Sequence, residues 1–400
     1  MQVLNPEILK WARETAGLNL EDAAHALGMT AAGRLAALEA GKEVPSRAVL
    51  LKMSKQYRRS LLTFYLPTPP KKGDRGQDFR TVTPDRSVAS DALLDALIRD
   101  LRARQSLVHS TLEDEEVEPL AFIGSTKMAD GITATLRSIQ DALQLNLADF
   151  RAQKKAEDAF SLLRERAEAV GIFVLLIGNL GSHHSAIPVE TFRGFAIADP
   201  IAPFVVINDQ DAKTAWSFTL LHEIAHLCLG TTGVSGALSD VAIEQFCNDV
   251  AGEFLLPKTE LGKIKLDASW GLDASIEAIS QFAEDRNLSR SMVAYKLYRT
   301  GFISWNNWHA LDSKLREMWA QEKAKIKAKP KTSDSGPSYY VVRRHRLGKA
   351  MLEFASRTVS SGVLSPVKAA KILGVKPRSV HPLLVDVFRS GLRASAGGNV

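Results

Sequence analysis

A chain of 400 residues, 45% hydrophobic and 24% charged, is too long for one ordinary domain and too apolar to be globally disordered, so two to four packed domains are expected. The net charge of +6 permits a nucleic-acid partner without requiring one. Two cysteines, Cys228 and Cys247, exclude a disulfide framework, and neither a signal-like stretch nor a run of about 18 apolar residues occurs, so a cytoplasmic protein without a membrane partner is expected.

In chain order, PEILKWARETAG places Ile8, Leu9, Ala12 and Ala16 on a helical stripe that stops at Gly17. LEDAAHALGM is a second helix stopped by Gly28, and Thr30 stands where it would cap a third, AAGRLAALEA. VPSRAVLLKMSKQYRRSLLTFYL supplies one or two more. Short helices joined by glycine-bearing turns suit a helix-turn-helix module over residues 1–68. Residues 69–87, rich in proline, glycine and charge, read as a linker. The segment 88–168 is helical, with an acidic break at EDEEVE, and nothing in it points to a role.

After Gly171 the period changes. IFVLLIG, RGFAIAD and FVVIND are short apolar runs between turn residues and read as strands. A helix containing HEIAH follows, then VAIEQFCNDVAGEFLLP, a helix ended by Pro257. Residues 272–320 are helical, 321–338 form a lysine-rich linker, and 339–400 form a last helical unit. In that unit, SPVKAAKILGVKPRSVHPLL has a helix-turn-helix look, with Arg343, Arg344, His345 and Arg346 ahead of it. A three-helix interaction domain with a basic surface is preferred there over a second DNA reader.

The chemistry sits in SFTLLHEIAHLCLG. His222 and His226 stand one helical turn apart on one face, the spacing that puts two imidazole nitrogens on one tetrahedral ion. Glu223 is then placed to take a proton from a metal-bound water. A third protein ligand is needed, with one position left for water. Glu244, 18 residues after His226 on the next helix, is the first candidate if the two helices pack antiparallel. Glu253, nine residues further on, is its rival; two and a half turns separate them, so only one faces the metal, and spacing does not say which. Cys228 and Cys247 read as small buried hydrophobes.

SFTLLHEIAHLCLG followed by EQFCNDVAGEFLLP resembles the ImmA/IrrE family of metallopeptidases, as do the preceding Arg193-Gly194-Phe195 and the VVIN run ending at Asn208. The resemblance implies a small α/β peptidase core with a gluzincin-type ligand set. Its third ligand is the glutamate that opens the second helix, which is Glu244 here and not Glu253, and its catalytic carboxylate is Glu223. One zinc ion is implied, with Mn2+ or Fe2+ compatible with the same ligands. A side chain for the oxyanion is left open among His183, His184 and Tyr295. One of the strands could take an extended peptide by edge pairing.

The first 66 residues resemble the Xre-type helix-turn-helix found ahead of the peptidase in one branch of that family, through LKWARETAG, LEDAAHALGM and LEAGKEVPS. The resemblance implies a recognition helix at about Thr30–Leu38 in the major groove, with Thr30, Arg34 and Lys42 toward DNA. Lys52, Lys55, Arg58 and Arg59 could touch phosphates, although a solvated helix face is the commoner reason for such charges. That helix is mostly alanine, and Arg34 is its only cation before Lys42, so few donors reach base edges; protein docking is the alternative.

The expected architecture is therefore α+β and multidomain, a gluzincin-like zinc peptidase core over 169–320 between mainly α-helical terminal modules. The expected function is a zinc endopeptidase acting on a specific regulatory protein, a repressor, in a bacterial stress or mobile-element circuit. The alternative is a DNA-binding antitoxin or regulator that docks a partner toxin through its metal domain.

Overall fold

A computed structural model describes residues 4–70, 88–231, 240–266, 271–328 and 338–385. The described residues separate into two compact units, one from 4–70, 88–103 and 179–192, the other from 104–178 and the described residues from 193 onward. No described helix is long and apolar enough to cross a membrane.

In the first unit, α1 (Pro6–Glu14), α2 (Leu20–Leu27), α3 (Ala32–Glu39) and α4 (Arg47–Gln56) enclose a small core that includes Ile8, Leu27, Leu35, Met53 and Phe64. Local chemistry sets the helix ends. Asn5 and Asn19 accept from the amides of Glu7 (3.0 Å) and Asp22 (2.7 Å), and Gly28 closes α2 in the left-handed region at φ 73°. Arg13 of α1 holds Glu39 of α3 by two bonds (2.7 and 3.0 Å) and donates to the Leu18 carbonyl (2.9 Å). Thr30 does not cap α3. The helix starts one residue later than the sequence suggests, so Ala31 takes the cap position and no side-chain bond is made.

α5 (Val88–Asp114) supplies residues to both units. The second unit continues with α6 (Gly131–Leu143), α7 (Leu147–Arg151), α8 (Ala156–Ala169), β1 (Phe173–Leu176), β2 (Gly194–Ile197), β3 (Phe204–Ile207), α9 (Lys213–Cys228) and α10 (Asp240–Leu255). It ends with α11 (Lys258–Leu261), α12 (Leu272–Glu284), α13 (Arg290–Arg299), α14 (Trp305–Ala328), α15 (Tyr339–Ser360) and α16 (Pro366–Leu373). The lysine-rich stretch read as a linker from 321 continues α14 as far as Ala328; residues 329–337 lie outside the described residues, as do 71–87 of the first linker.

The sheet runs β1-β3-β2, with β1 parallel and β2 antiparallel to β3. Every strand residue is buried, so both faces need a cover. Alternation sends Val174, Leu176, Ala196, Val205 and Ile207 into the main apolar cluster, which they share with α8, α9 and α10. The residues between them point the other way, and there Phe173 meets Phe354 of α15 edge-on at 6.0 Å. The segment 339–385, read from sequence as a module of its own, thus packs on β1 through α15.

A buried ion pair fixes that cover. Inside α15, Gly348 leaves the helical region (φ 79°, ψ 169°) and splits it into two stretches. Glu168 of α8 accepts the amides of Lys349 (2.9 Å) and Ala350 (3.4 Å), capping the second stretch. Arg164, bonded to Glu168 at 3.0 Å, donates to the carbonyls of His345 (2.6 Å) and Arg346 (3.3 Å), capping the first, and to Val174 of β1 (2.5 Å). A Cβ on residue 348 would collide with both side chains. The expected basic surface ahead of α16 is largely consumed in the same way. Arg343 donates to the Gly374 carbonyl, Arg344 to Leu383 (2.9 Å) and Pro382 (3.0 Å), and Arg346 pairs with Asp209 (2.6 Å). Residues 386–400 lie outside the described residues.

Gly348→Ala combines a positive φ with a collision against a buried ion pair, so it should cost about 2 kcal/mol or more of stability in urea denaturation. An unchanged midpoint would mean that the break in α15 is not held by this clamp.

Candidate metal centre

The approach to the centre is short. β3 ends at Ile207, and the amide of the next residue, Asn208, bonds the Arg193 carbonyl (2.8 Å) while its side chain accepts from the Gln210 amide (3.0 Å) in a tight turn. Asp211 accepts from the Ala212 amide (2.8 Å) and pairs with Arg193 (3.1 Å), and α9 begins two residues later. α9 is buried on nearly all sides from Trp216 to Cys228, its apolar residues being spread round the helix rather than along one stripe.

Three side chains converge. His222 Nε2 and His226 Nε2 lie 3.1 Å apart. Glu244, on α10, brings Oε2 to 3.1 Å from His222 Nε2 and Oε1 to 3.0 Å from His226 Nε2. Ligands at about 2.0 Å from a tetrahedral ion sit about 3.3 Å from one another, so this triangle has nearly the dimensions of three corners around a small divalent ion. Among the described residues these are the residues grouped tightly enough to hold a metal, and all three are buried. Glu253, the rival, faces elsewhere: its carboxylate takes Lys296 Nζ at 2.8 Å.

Glu223 is 2% exposed, with Oε1 close against the backbone of Gly194 at the start of β2. Two further contacts escaped the sequence reading. Thr231 Oγ1 donates to the His226 carbonyl (3.2 Å) and stands 3.2 Å from His226 Nδ1, where it serves as an acceptor. With a proton held there at Nδ1, Nε2 is the nitrogen turned toward His222 and Glu244 and able to take an ion. Its only sequence signal is a hydroxyl five residues after the second histidine. Cys247 is fully buried in the apolar cluster, as expected, and lies near enough to the His226 imidazole to bear on its charge. Cys228, in the same apolar cluster, has its thiol pushed up to about 12 by burial.

Burial and close approach shift the charges within this group. Burial opposes the Glu244 carboxylate, yet the two imidazoles outweigh it and hold its carboxyl well below the usual range. Burial likewise opposes a charged His226, but Cys247, Glu244 and Glu223 more than offset this and raise it well above the ordinary histidine value. Of the oxyanion candidates, Tyr295 donates to Gln245 (3.2 Å), the residue beside Glu244. His184 is exposed in the short turn His183–Ser185, and the side chain of His183 lies outside the described residues.

With this geometry in place, the comparison with known families is informative. Residues 170–298 match a peptidase family described as the IrrE N-terminal-like domain. The matched segment contains β1 to β3, α9 and α10, and with them His222, Glu223, His226 and Glu244. Residues 9–64 match the helix-turn-helix family. No curated protein and no solved structure matches the chain. The IrrE-like domain belongs to a metallopeptidase family, which implies a metal, and the convergent His-His-Glu group is where the described residues could hold it.

Glu244→Gln should abolish stoichiometric binding of a divalent ion in calorimetry, whereas Glu253→Gln should leave it intact; equal loss in both would contradict the geometry. A pH dependence follows for metal-free protein. His226 is raised in the folded state, so the stability it contributes is complete below the unfolded value near 6.5 and is lost as pH climbs through the folded value. Chelator-treated protein should therefore melt at falling temperatures above about pH 6.5, and added zinc should reverse the trend, because the ion replaces the proton.

Proposed function

We propose that the chain is a zinc-dependent endopeptidase that hydrolyses one bond in a specific regulatory protein, a repressor first among candidates, in a bacterial stress or mobile-element circuit. The observation that carries this reading is the buried Glu223 carboxylate next in sequence to His222 of the convergent His-His-Glu group. When bound, the ion supplies Lewis acidity toward a carbonyl and lowers the pKa of a water to about 7. The chain does the rest. His222, His226 and Glu244 hold the ion and leave one position open, and Thr231 keeps His226 in the ligating tautomer. Glu223 takes a proton at its carboxylate and returns it to the leaving amine. A substrate segment in extended form, as a flexible loop of a folded protein offers, suits such a site.

The match of residues 9–64 to the helix-turn-helix family supports a second role, as a DNA-binding regulator that docks a protein partner such as a toxin. Thr30, Arg34 and Lys42 are all exposed. Arg34 is held only by Glu43 at 3.7 Å, an exposed pair that costs little to break. Lys52 is drawn to the Leu27 carbonyl (3.1 Å), and Arg59 lies over Trp11 (4.3 Å) and bonds Thr15 (2.8 Å). Lys55 and Arg58 remain exposed for phosphates.

Glu223→Gln should keep its ion and its melting temperature yet cut cleavage of the cognate partner about a hundredfold or more. Mass spectrometry of cells expressing each form should then show a fragment pair with the wild type alone; the same pair with the variant would end the peptidase reading. For DNA, Arg34→Ala should abolish a gel shift on the chain's own promoter region, and the wild-type salt dependence should be shallow, about two to four released ions. A shift that survives Arg34→Ala and Lys42→Ala together would favour protein docking by this domain.

A further inference from the structure

Gly194 opens β2 with an ordinary φ, so no turn requires glycine there. What requires it is the approach of α9. A Cβ at this position would lie 2.5 Å from Thr219 Cγ2, 3.0 Å from Glu223 Oε1 and 3.1 Å from the Val206 carbonyl. Thr219 and Glu223 are one turn apart on α9, so both face the same strand position. The Glu223 carboxylate thus rests against bare backbone, in a space that any side chain on residue 194 would take away.

We propose that Gly194 is a positioning residue for Glu223: the missing side chain lets the strand backbone fix where the carboxylate stands beside His222 and His226. The proposal rests on the reading of Glu223 as the proton-holding group. It is separable from a simple packing role, because the severe clash is with the Thr219 methyl and the clash with Glu223 is a second contact. Thr219→Ser removes that methyl and leaves the Glu223 contact in place.

The test uses zinc-loaded full-length chain and N-acetyl-leucine hydroxamate as probe. A hydroxamate on the ion keeps a proton for which an adjacent carboxylate is the natural acceptor. Wild type, Thr219→Ser, Gly194→Ala with Thr219→Ser, and Glu223→Gln are compared for zinc content, melting temperature and probe affinity. Thr219→Ser should match the wild type. The double variant should keep its zinc and bind the probe about ten- to a hundredfold more weakly, close to Glu223→Gln, as expected when a hydrogen bond to a charged group is lost. Wild-type affinity in the double variant, with Glu223→Gln weakened, overturns the positioning role and spares the reading of Glu223. Loss of zinc in the double variant also overturns it, since Gly194 would then serve the ligand helix. Unchanged affinity in Glu223→Gln removes the reading of Glu223 and the proposal with it.

Discussion

Glu244 reaches the two histidines because α10 lies along α9, and the residues that hold these helices together are apolar. Ile224, Ala225 and Cys228 of one helix share a fully buried cluster with Cys247, Val250 and Ala251 of the other. Each large side chain buried there contributes about 1.5–3 kcal/mol, which offsets the cost of keeping two imidazoles and a carboxylate away from water. The same packing holds the three side chains at 3.0–3.1 Å from one another. Because the ligands come from two packed helices, metal affinity and fold stability are coupled.

The sheet beneath is too narrow to stand alone. Three strands of four residues, apolar at every position, expose two hydrophobic faces. α8 and α9 pack on one and α15 packs on β1 from the other, although α15 lies more than a hundred residues further along the chain. The Arg164–Glu168 pair ties the two sides together: it caps both halves of α15 and bonds β1. A buried ion pair is seldom a large source of net stability, but one that satisfies two helix ends at once specifies a single docking geometry. The C-terminal helices are thus part of the body that carries the metal centre, although the family match ends at residue 298.

What could be read from sequence was what short-range periodicity encodes. The i, i+4 histidines, the three strands after Gly171 and the helix carrying Glu244 all follow from spacing within a few turns. The choice of Glu244 over Glu253 did not: nine residues on one helix only say that the two point apart, and the resemblance to a known family made the choice. Lys296, 43 residues away on α13, is what occupies Glu253. Other features depended on distant partners. Arg343, Arg344 and Arg346 look like a basic surface until Gly374, Pro382, Leu383 and Asp209 are seen to take them. One signal was present and missed: strands apolar at every position, rather than at alternate ones, announce a second covering layer.

The central claim is that His222, His226 and Glu244 form an open nitrogen–oxygen site, with Cys247 beside His226 but outside the coordination sphere. X-ray absorption at the zinc edge of the loaded protein tests this most directly. The expected spectrum has nitrogen and oxygen neighbours alone at about 2.0 Å, two of them with the outer-shell signature of imidazole. A sulfur neighbour at about 2.3 Å would contradict it, because a fourth protein ligand would close the position that hydrolysis needs.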